Sequence, residues 1–287
     1  GIDVSLTFAP LTGTDGHPIG VRKSYLEQGF YGDLFKNLKE IEGHGYVIVD
    51  NEKDLSEKWA EILSAKPDFI KVMLLYSEEY EKRKDDPAYF GRKGLDPKLL
   101  PEIVRKAHLQ GLRVSVHVTT ATDFHHAVLS GADEIAHVPG GHDGSKISPD
   151  DARTAAKRGI TVVTTAGLVR RRSKAADYDK LFEAVKFNLK TLRDAKVRLA
   201  IGSDEYGDSS LGEATFLAGL GVYSNLEILK MWAEVSTETT FPQRKVAKLK
   251  DGYEASFLVL NGNPIENFEN FQKIEMRVKQ GHILKVN

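Results

Sequence analysis

The sequence predicts an α/β fold of parallel strand–helix units arranged toward a barrel, followed by a small β-region without helices. Three observations predict it. Short apolar or β-branched runs alternate with amphipathic helical segments through most of the chain, the pattern of parallel βα units. Four polar residues, Lys71, His117, His137 and Asp204, are each read as ending such a run: Asp68-Phe-Ile-Lys-Val-Met-Leu-Leu75, Arg113-Val-Ser-Val-His-Val118, Glu134-Ile-Ala-His-Val138 and Arg198-Leu-Ala-Ile-Gly-Ser-Asp204. From about Thr237, strand-like runs follow one another with no helical pattern between them.

Taken in order, Asp3-Val-Ser-Leu-Thr-Phe8 reads as a first strand, followed by the Gly-rich loop Thr12-Gly-Thr-Asp-Gly-His-Pro18. A short extended segment at 46–50 precedes a helix starting near Asp54, with Leu55, Trp59, Ile62 and Leu63 on one face. The Lys71 strand leads into a charged stretch, 77–94, longer than an ordinary βα connection and able to cover a site. Asp96-Pro97 supplies an N-cap with proline in the first turn, and Gly111 suits a C-cap. After the His117 strand a helix runs from about Thr122 to Ser130, and after the His137 strand Ser148-Pro149 opens another that ends at Gly159.

Thr161-Val-Val-Thr-Thr165 is a strand with no obvious ligand, and a long helix follows over about Tyr178–Asp194. After the Asp204 strand come helices near 211–220 and 225–235. Strands at 255–260, 274–278 and 282–286, joined by turn-rich segments such as Asn261-Gly-Asn-Pro264, form the final β-region. The predicted division is 1–236 for the barrel and 237–287 for a linker and the β-region.

Composition narrows the function classes. The 287 residues are 41% hydrophobic, enough to bury one large core and a small appendage. Forty basic and 41 acidic side chains give a formal charge of -1 with no long block of either sign, which argues against nucleic acid as a partner. The densest basic run, Arg170-Arg-Arg-Ser-Lys174, reads as a solvated loop before a helix. Without cysteine there is no thiolate or disulfide chemistry, so a metal would be held by imidazole, carboxylate or a lysine derivative. No apolar stretch approaches the roughly 18 residues that span a bilayer, and no signal peptide opens the sequence. A homo-oligomer stays open.

The spacing of the four polar residues fits barrel geometry. One short strand–helix–strand step separates His117 from His137, and two steps separate His137 from Asp204, with the Thr161 strand between them. The step from Lys71 to His117 is enlarged by the charged stretch. All four would face the C-terminal rim, where the βα loops of a barrel open. Read functionally, His117 and His137 are neutral ligands for a divalent cation, most plausibly zinc, one ion or two. Asp204 binds metal and accepts a proton from the attacking water. Lys71 becomes a ligand only when carbamylated, its two carboxylate oxygens then able to bridge two metals. Such a metal lowers the pKa of bound water to about 7 and polarises a carbonyl. Each residue alone has a blander reading: a strand-end histidine is commonly structural, and Lys71 could pair with a carboxylate or reach solvent.

Other candidates are less specific. His17 could line the same rim, although its Gly-His-Pro setting also suits a plain turn. Tyr76 and Tyr206 adjoin the metal-site strands and could position substrate, or simply pack. His142 and Asp143, in the loop after His137, could contact substrate. His125, His126 and His108 fall on predicted helices, where packing or exposure is the default, and no phosphate-cradling glycine motif is present.

The pattern resembles the amidohydrolase superfamily, specifically its imidazolonepropionase-like and prolidase-like members. The resemblance rests on Phe69-Ile-Lys-Val-Met73, Ser115-Val-His-Val118, Asp133-Glu-Ile-Ala-His137 and Ile201-Gly-Ser-Asp204, matching the family's strand-four lysine, strand-five and strand-six histidines and strand-eight aspartate. The ending, Gly252-Tyr-Glu-Ala-Ser-Phe-Leu-Val-Leu260, Gly262-Asn-Pro-Ile265 and Val278-Lys-Gln-Gly281, is similar to the family's closing β-domain segment. The resemblance implies a (β/α)8 TIM-type barrel, N-terminally incomplete in this chain, with a small β-domain formed in part by the C-terminus. Residues 1–236 would hold approximately strands three to eight.

The family's His-x-His pair is missing, since no two histidines stand at that spacing. The expectation is a piece of a longer protein, ahead of one chain of a two-chain enzyme or a shortened homologue. The implied activity is metal-dependent hydrolysis of a C–N bond in an amide, peptide or cyclic amide by metal-activated hydroxide, acting on a small-molecule or peptide substrate. The alternatives are a lactonase or phosphotriesterase on the same site, or a non-catalytic barrel-derived binding protein. The resemblance favours a periplasmic or exported location over a cytoplasmic one.

Overall fold

The computed structural model describes residues 3–205 and 209–284. Seven parallel strands form one sheet, in the order β2-β1-β3-β4-β5-β6-β7. They are β1 (Leu11–Thr12), β2 (Val47–Ile48), β3 (Phe69–Met73), β4 (Arg113–His117), β5 (Glu134–Ala136), β6 (Thr161–Val163) and β7 (Arg198–Ala200). A separate antiparallel sheet, ordered β10-β9-β8, holds β8 (Phe257–Leu260), β9 (Ile274–Lys279) and β10 (His282–Leu284). Among the described residues β2 and β7 do not pair with each other, so the large sheet is open, not a closed barrel.

The helices in chain order are α1 (Ile19–Glu27), α2 (Leu38–Ile41), α3 (Glu52–Ser64), α4 (Tyr80–Arg83), α5 (Leu100–Leu109), α6 (Ala121–Ser130), α7 (Pro149–Arg158), α8 (Tyr178–Asp194), α9 (Ser210–Leu220), α10 (Asn225–Lys230) and α11 (Ser236–Thr240). Their starts follow sequence chemistry. Asn51 caps α3, Ser148 caps α7, and Thr120 with Asp123 forms a reciprocal capping box at α6. Gly131 ends α6 at φ 78, a left-handed conformation that glycine adopts without steric cost.

Alternation along the strands separates two faces. Ile70, Val72, Val114, Val116, Ile135, Val162 and Leu199 are buried, in one core with Leu55 and Trp59 of α3, Ile103 of α5, Phe124 of α6 and Leu189 of α8. The opposite face carries Lys71, Ser115, His117 and Glu134. Parallel register puts Lys71 opposite Ser115 and Met73 opposite His117, while Ser115 faces Glu134 and His117 faces Ala136. A polar layer therefore crosses three strands on the side away from the helices.

Two expectations are corrected. Residues 3–8 form no strand; the first one is Leu11–Thr12. Val4, Leu6 and Phe8 are exposed, so their period-two pattern has no surface to pack on, and the segment is fastened instead by Leu6 N–H to the Asp68 carboxylate at 2.7 Å. The helical run from Asn225 also does not stop at Val235. It passes through a π-helical turn, Met231–Val235, into α11, whose Thr239 is buried and donates to Glu134 Oε2 at 2.8 Å. That tertiary bond holds a segment, Ser-Thr-Glu-Thr-Thr, of modest helix propensity.

No helix in the described residues is long and apolar enough to cross a membrane.

Candidate functional site

His117 closes β4 and His137 follows β5 by one residue, so two adjacent strands deliver their imidazoles side by side. His137 Nε2 lies 2.9 Å from His117 Nδ1. Beyond the pair, His137 Nδ1 is 2.6 Å from Thr165 Oγ1, and His117 Nε2 is 3.3 Å from Thr119 Oγ1. One consistent assignment has the Thr165 hydroxyl donating to His137, His137 to His117, and His117 to Thr119, each ring holding one proton.

Burial keeps these rings neutral. It pushes His117 well below the ordinary imidazole value, with His137 and His17 adding to the effect. His137 falls to about 3, through burial and then the positive charge of Lys71. Neutral imidazole is the form that binds a metal.

Asp204 stands after β7 at φ 52, with Oδ2 3.9 Å from His137 Nε2 and a side chain 61% exposed. Lys71 sits one register layer below His117. Its Nζ donates to Ser115 Oγ at 3.3 Å, Ser115 Oγ donates to Glu134 Oε1 at 2.8 Å, and burial lowers the Lys71 pKa although the charges of Glu134 and Asp204 act to raise it. Lys71 is thus on the floor beneath the rim, not at the level of the histidines.

A pocket of about 220 Å³ opens over these groups, lined by His17, His117, His137, His142, Asp204 and Arg172 among others. His17 is placed by the tight loop after β1, where a Cβ on Gly16 would come within 2.3 Å of Thr12 Oγ1. Its ring centroid is 5.0 Å from that of His117, and burial lowers its pKa to about 4. Tyr76 is not among the pocket-lining residues: its ring packs under the Arg83 guanidinium, 3.8 Å from the centroid, and its backbone N–H donates to Asp123. Tyr206 lies outside the described residues. A larger cavity, about 480 Å³, lies against α3 and contains none of the four predicted metal-site residues.

Several contributors were not legible in the sequence. Thr165 lies two residues past β6, the strand that carries no obvious ligand, yet its hydroxyl meets His137 Nδ1. The loop bearing it is fixed by Glu213 of α9, a buried carboxylate accepting from Ala166 N–H at 2.8 Å and Gly167 N–H at 2.7 Å. Asp123, fully buried at the start of α6, accepts from the N–H groups of Tyr76, Ser77, Thr119 and Thr120 and from the Ser77 hydroxyl. It therefore ties the loop after the Lys71 strand to the loop after the His117 strand. The arginine run predicted as a solvated loop is partly a 3₁₀ helix, Ala166–Arg172, and Arg171 and Arg172 line the pocket.

The donor chemistry suits a divalent cation: two neutral imidazoles with a carboxylate nearby. The number does not, because among the described residues no three His, Asp or Glu side chains converge at metal-holding geometry.

No family model matches the chain, and no curated protein does. Solved structures do. Ochratoxinase from A. niger superposes with a TM-score of 0.77 at 23% identity, over 99% of this chain and 66% of that one. A prolidase complexed with N-methylphosphonate-L-proline gives 0.70 at 21% identity, over 98% and 69%. A Xaa-Pro dipeptidase with bound methionine gives 0.66 at 17% identity, over 83% and 60%. The chain spans about two thirds of the length of these proteins or somewhat less, and it has their fold over that span.

Proposed function

We propose that this chain, which has the fold of amidohydrolase-type enzymes, is the part of a metal-dependent hydrolase that attacks a C–N bond. The observation that carries the reading is the neutral His117–His137 pair, 2.9 Å apart at adjacent strand ends, with the Asp204 carboxylate 3.9 Å from His137.

His117 and His137 would hold a divalent cation, zinc by preference for imidazole nitrogen, and the Thr165 and Thr119 hydroxyls would orient the two rings. The described residues leave its coordination incomplete. When bound, the cation would polarise the amide carbonyl and lower the pKa of water to about 7. Asp204 takes a proton from the attacking water and returns it to the leaving nitrogen, which must be protonated to depart as an amine. Lys71, as an ammonium, places positive charge below this carboxylate; as a carbamate it would offer oxygens to the cation instead. His17, its ring centroid 5.0 Å from that of His117, is neutral and available to hydrogen-bond substrate.

The test is hydrolysis of amides, cyclic amides, lactones and phosphotriesters by the intact protein, with bound metal quantified by elemental analysis. Cleavage of amides that requires metal and disappears in Asp204→Asn supports the reading. Full amide cleavage by Asp204→Asn, or by metal-free protein, overturns it.

A further inference from the structure

We propose that Lys93 is a positioning residue that seats His17 in the pocket, and that the charged stretch at 77–94 is the brace through which it acts. The inference rests on the hydrolase reading above and deepens it, because His17 is a pocket side chain offered to substrate.

Lys93 is buried, 3% exposed, and lies outside the pocket lining. Lysine is almost never fully buried unless its ammonium is partnered, so a reason for its place is to be sought in what it holds. Its Nζ donates at 2.6 Å to Lys84 O, a carbonyl at the C-terminal end of α4. Its own carbonyl accepts from the His17 N–H at 2.7 Å. One residue therefore grips α4 with its side chain and the His17 loop with its backbone.

The two segments approach each other too closely for side chains to stand between them. A Cβ on Gly13 would come within 2.9 Å of Gly94 O, one on Gly16 within 3.1 Å of Lys93 O, and one on Gly20 within 3.2 Å of Gly91 Cα. The Gly91 N–H donates to Asp15 O at 2.7 Å, so the contact is hydrogen-bonded on both sides of Gly16. The place of His17 is thus set by the stretch that follows β3.

Arg83 stiffens that stretch. Its guanidinium carbon stands 3.8 Å from the ring centroid of Tyr76 and 4.6 Å from that of Tyr89, its Nε donates to Glu79 Oε2 at 2.7 Å, and its Nη1 donates at 2.7 Å to Arg92 O, next to Lys93. The side chain is 11% exposed, which shields these contacts from solvent. At its start the stretch is tied by Asp123, through the Tyr76 and Ser77 N–H groups, to the loop after β4. His17 is thereby braced against the strand that ends in His117, whose ring lies 5.0 Å from its own. Removing the Lys93 ammonium releases Lys84 and loosens this brace without touching His117, His137 or Asp204, so the effect falls on substrate binding and not on the chemical step.

The experiment compares the intact native protein with Lys93→Met, which keeps most of the stem and removes the charge, and Lys93→Arg, which restores a donor. In crystal structures the His17 and His117 rings should part by more than about 0.5 Å in Lys93→Met, the tolerance of a preorganised site, and keep their spacing in Lys93→Arg. On an amide that the native protein cleaves, Lys93→Met should raise KM about tenfold with kcat nearly unchanged, the pattern of a lost binding contact, and Lys93→Arg should recover most of it. In a His17→Ala background Lys93→Met should add nothing further, because its effect runs through that ring. Glu81→Gln, on an exposed carboxylate of the same stretch, should change neither readout. Arg83→Lys, which keeps the charge and loses the planar fork, supplies both readouts if Lys93→Met does not fold. A His17 ring that stays in place, a KM that does not rise in an active protein, or a rise that persists in full without His17 overturns the proposal. Absence of amide cleavage by the native protein refutes the hydrolase reading, and the ring positions then decide the role of Lys93 by themselves. Amide cleavage with an unmoved His17 ring refutes the role of Lys93 and leaves the hydrolase standing.

Discussion

His137 donates or accepts across 2.9 Å to His117, and the contact exists because β4 and β5 are parallel neighbours in register, with His117 opposite Ala136. Two imidazoles from different strands thus share one side of one pocket, and neither reaches bulk water freely.

The first prediction follows from that pair. His117→Ala or His137→Ala in the intact protein should lower zinc stoichiometry, and a chelator should abolish hydrolysis that added zinc restores. Elemental analysis alongside the activity assay checks this; unchanged metal content in both variants would count against the pair as ligands.

Thr165 orients His137 through a 2.6 Å hydrogen bond, as outer partners of ligating histidines do. Thr165→Ala should weaken zinc affinity by about 10–100-fold, and Thr165→Ser should recover most of it, because the hydroxyl is retained. Competition with a metal-binding dye reads the difference.

Asp204 is placed to move a proton, not to hold the fold: its side chain is 61% exposed. Asp204→Asn should cut kcat by about 10²–10⁴-fold with substrate affinity and melting temperature nearly unchanged. A parallel fall in stability would show a structural role instead.

Asp123 satisfies four backbone N–H groups and one hydroxyl from a fully buried position. Asp123→Ala leaves them without an acceptor and should destabilise the chain by about 2–4 kcal/mol. Urea unfolding measures this, and limited proteolysis should find the loops at 76–79 and 119–120 loosened first.

His17 titrates at about 4 in the folded chain, below the ordinary 6.5. Between these values the unfolded chain binds a proton that the folded chain does not, so stability should fall as pH drops from 6.5 toward 4 and be fully present above 6.5. His17→Gln should make the dependence shallower, with His117 and His137, lowered further still, keeping the remainder. Urea midpoints at pH 7 and 5 for both proteins give the comparison, and identical slopes would refute the contribution.

Much of the fold was legible because it rests on local chemistry. Ser148-Pro149 and Gly159 bracket α7, Gly131 ends α6, and the alternation of Ile70 and Val72 around Lys71 marks β3 as a strand. Residues 3–8 failed for an equally physical reason: alternation specifies a strand only where another surface covers the apolar side, and here Val4, Leu6 and Phe8 face solvent. At the site, His117, His137, Asp204 and His17 were identifiable as polar residues ending apolar runs or following one. Thr165 and Arg172 were not, since a hydroxyl and a charge run acquire meaning only from what they face.

From Tyr46 onward the sequence by itself determined the order of most strands and helices and which polar residues stand at strand ends, because hydrophobic period, caps and turn glycines act within a few residues. The tertiary structure alone decided that His117 meets His137, that Lys71 sits a layer below them against Ser115, and that Tyr76 turns aside to Arg83. Those outcomes depend on parallel register between strands distant in sequence, where a shift of one residue would move each side chain to the opposite face.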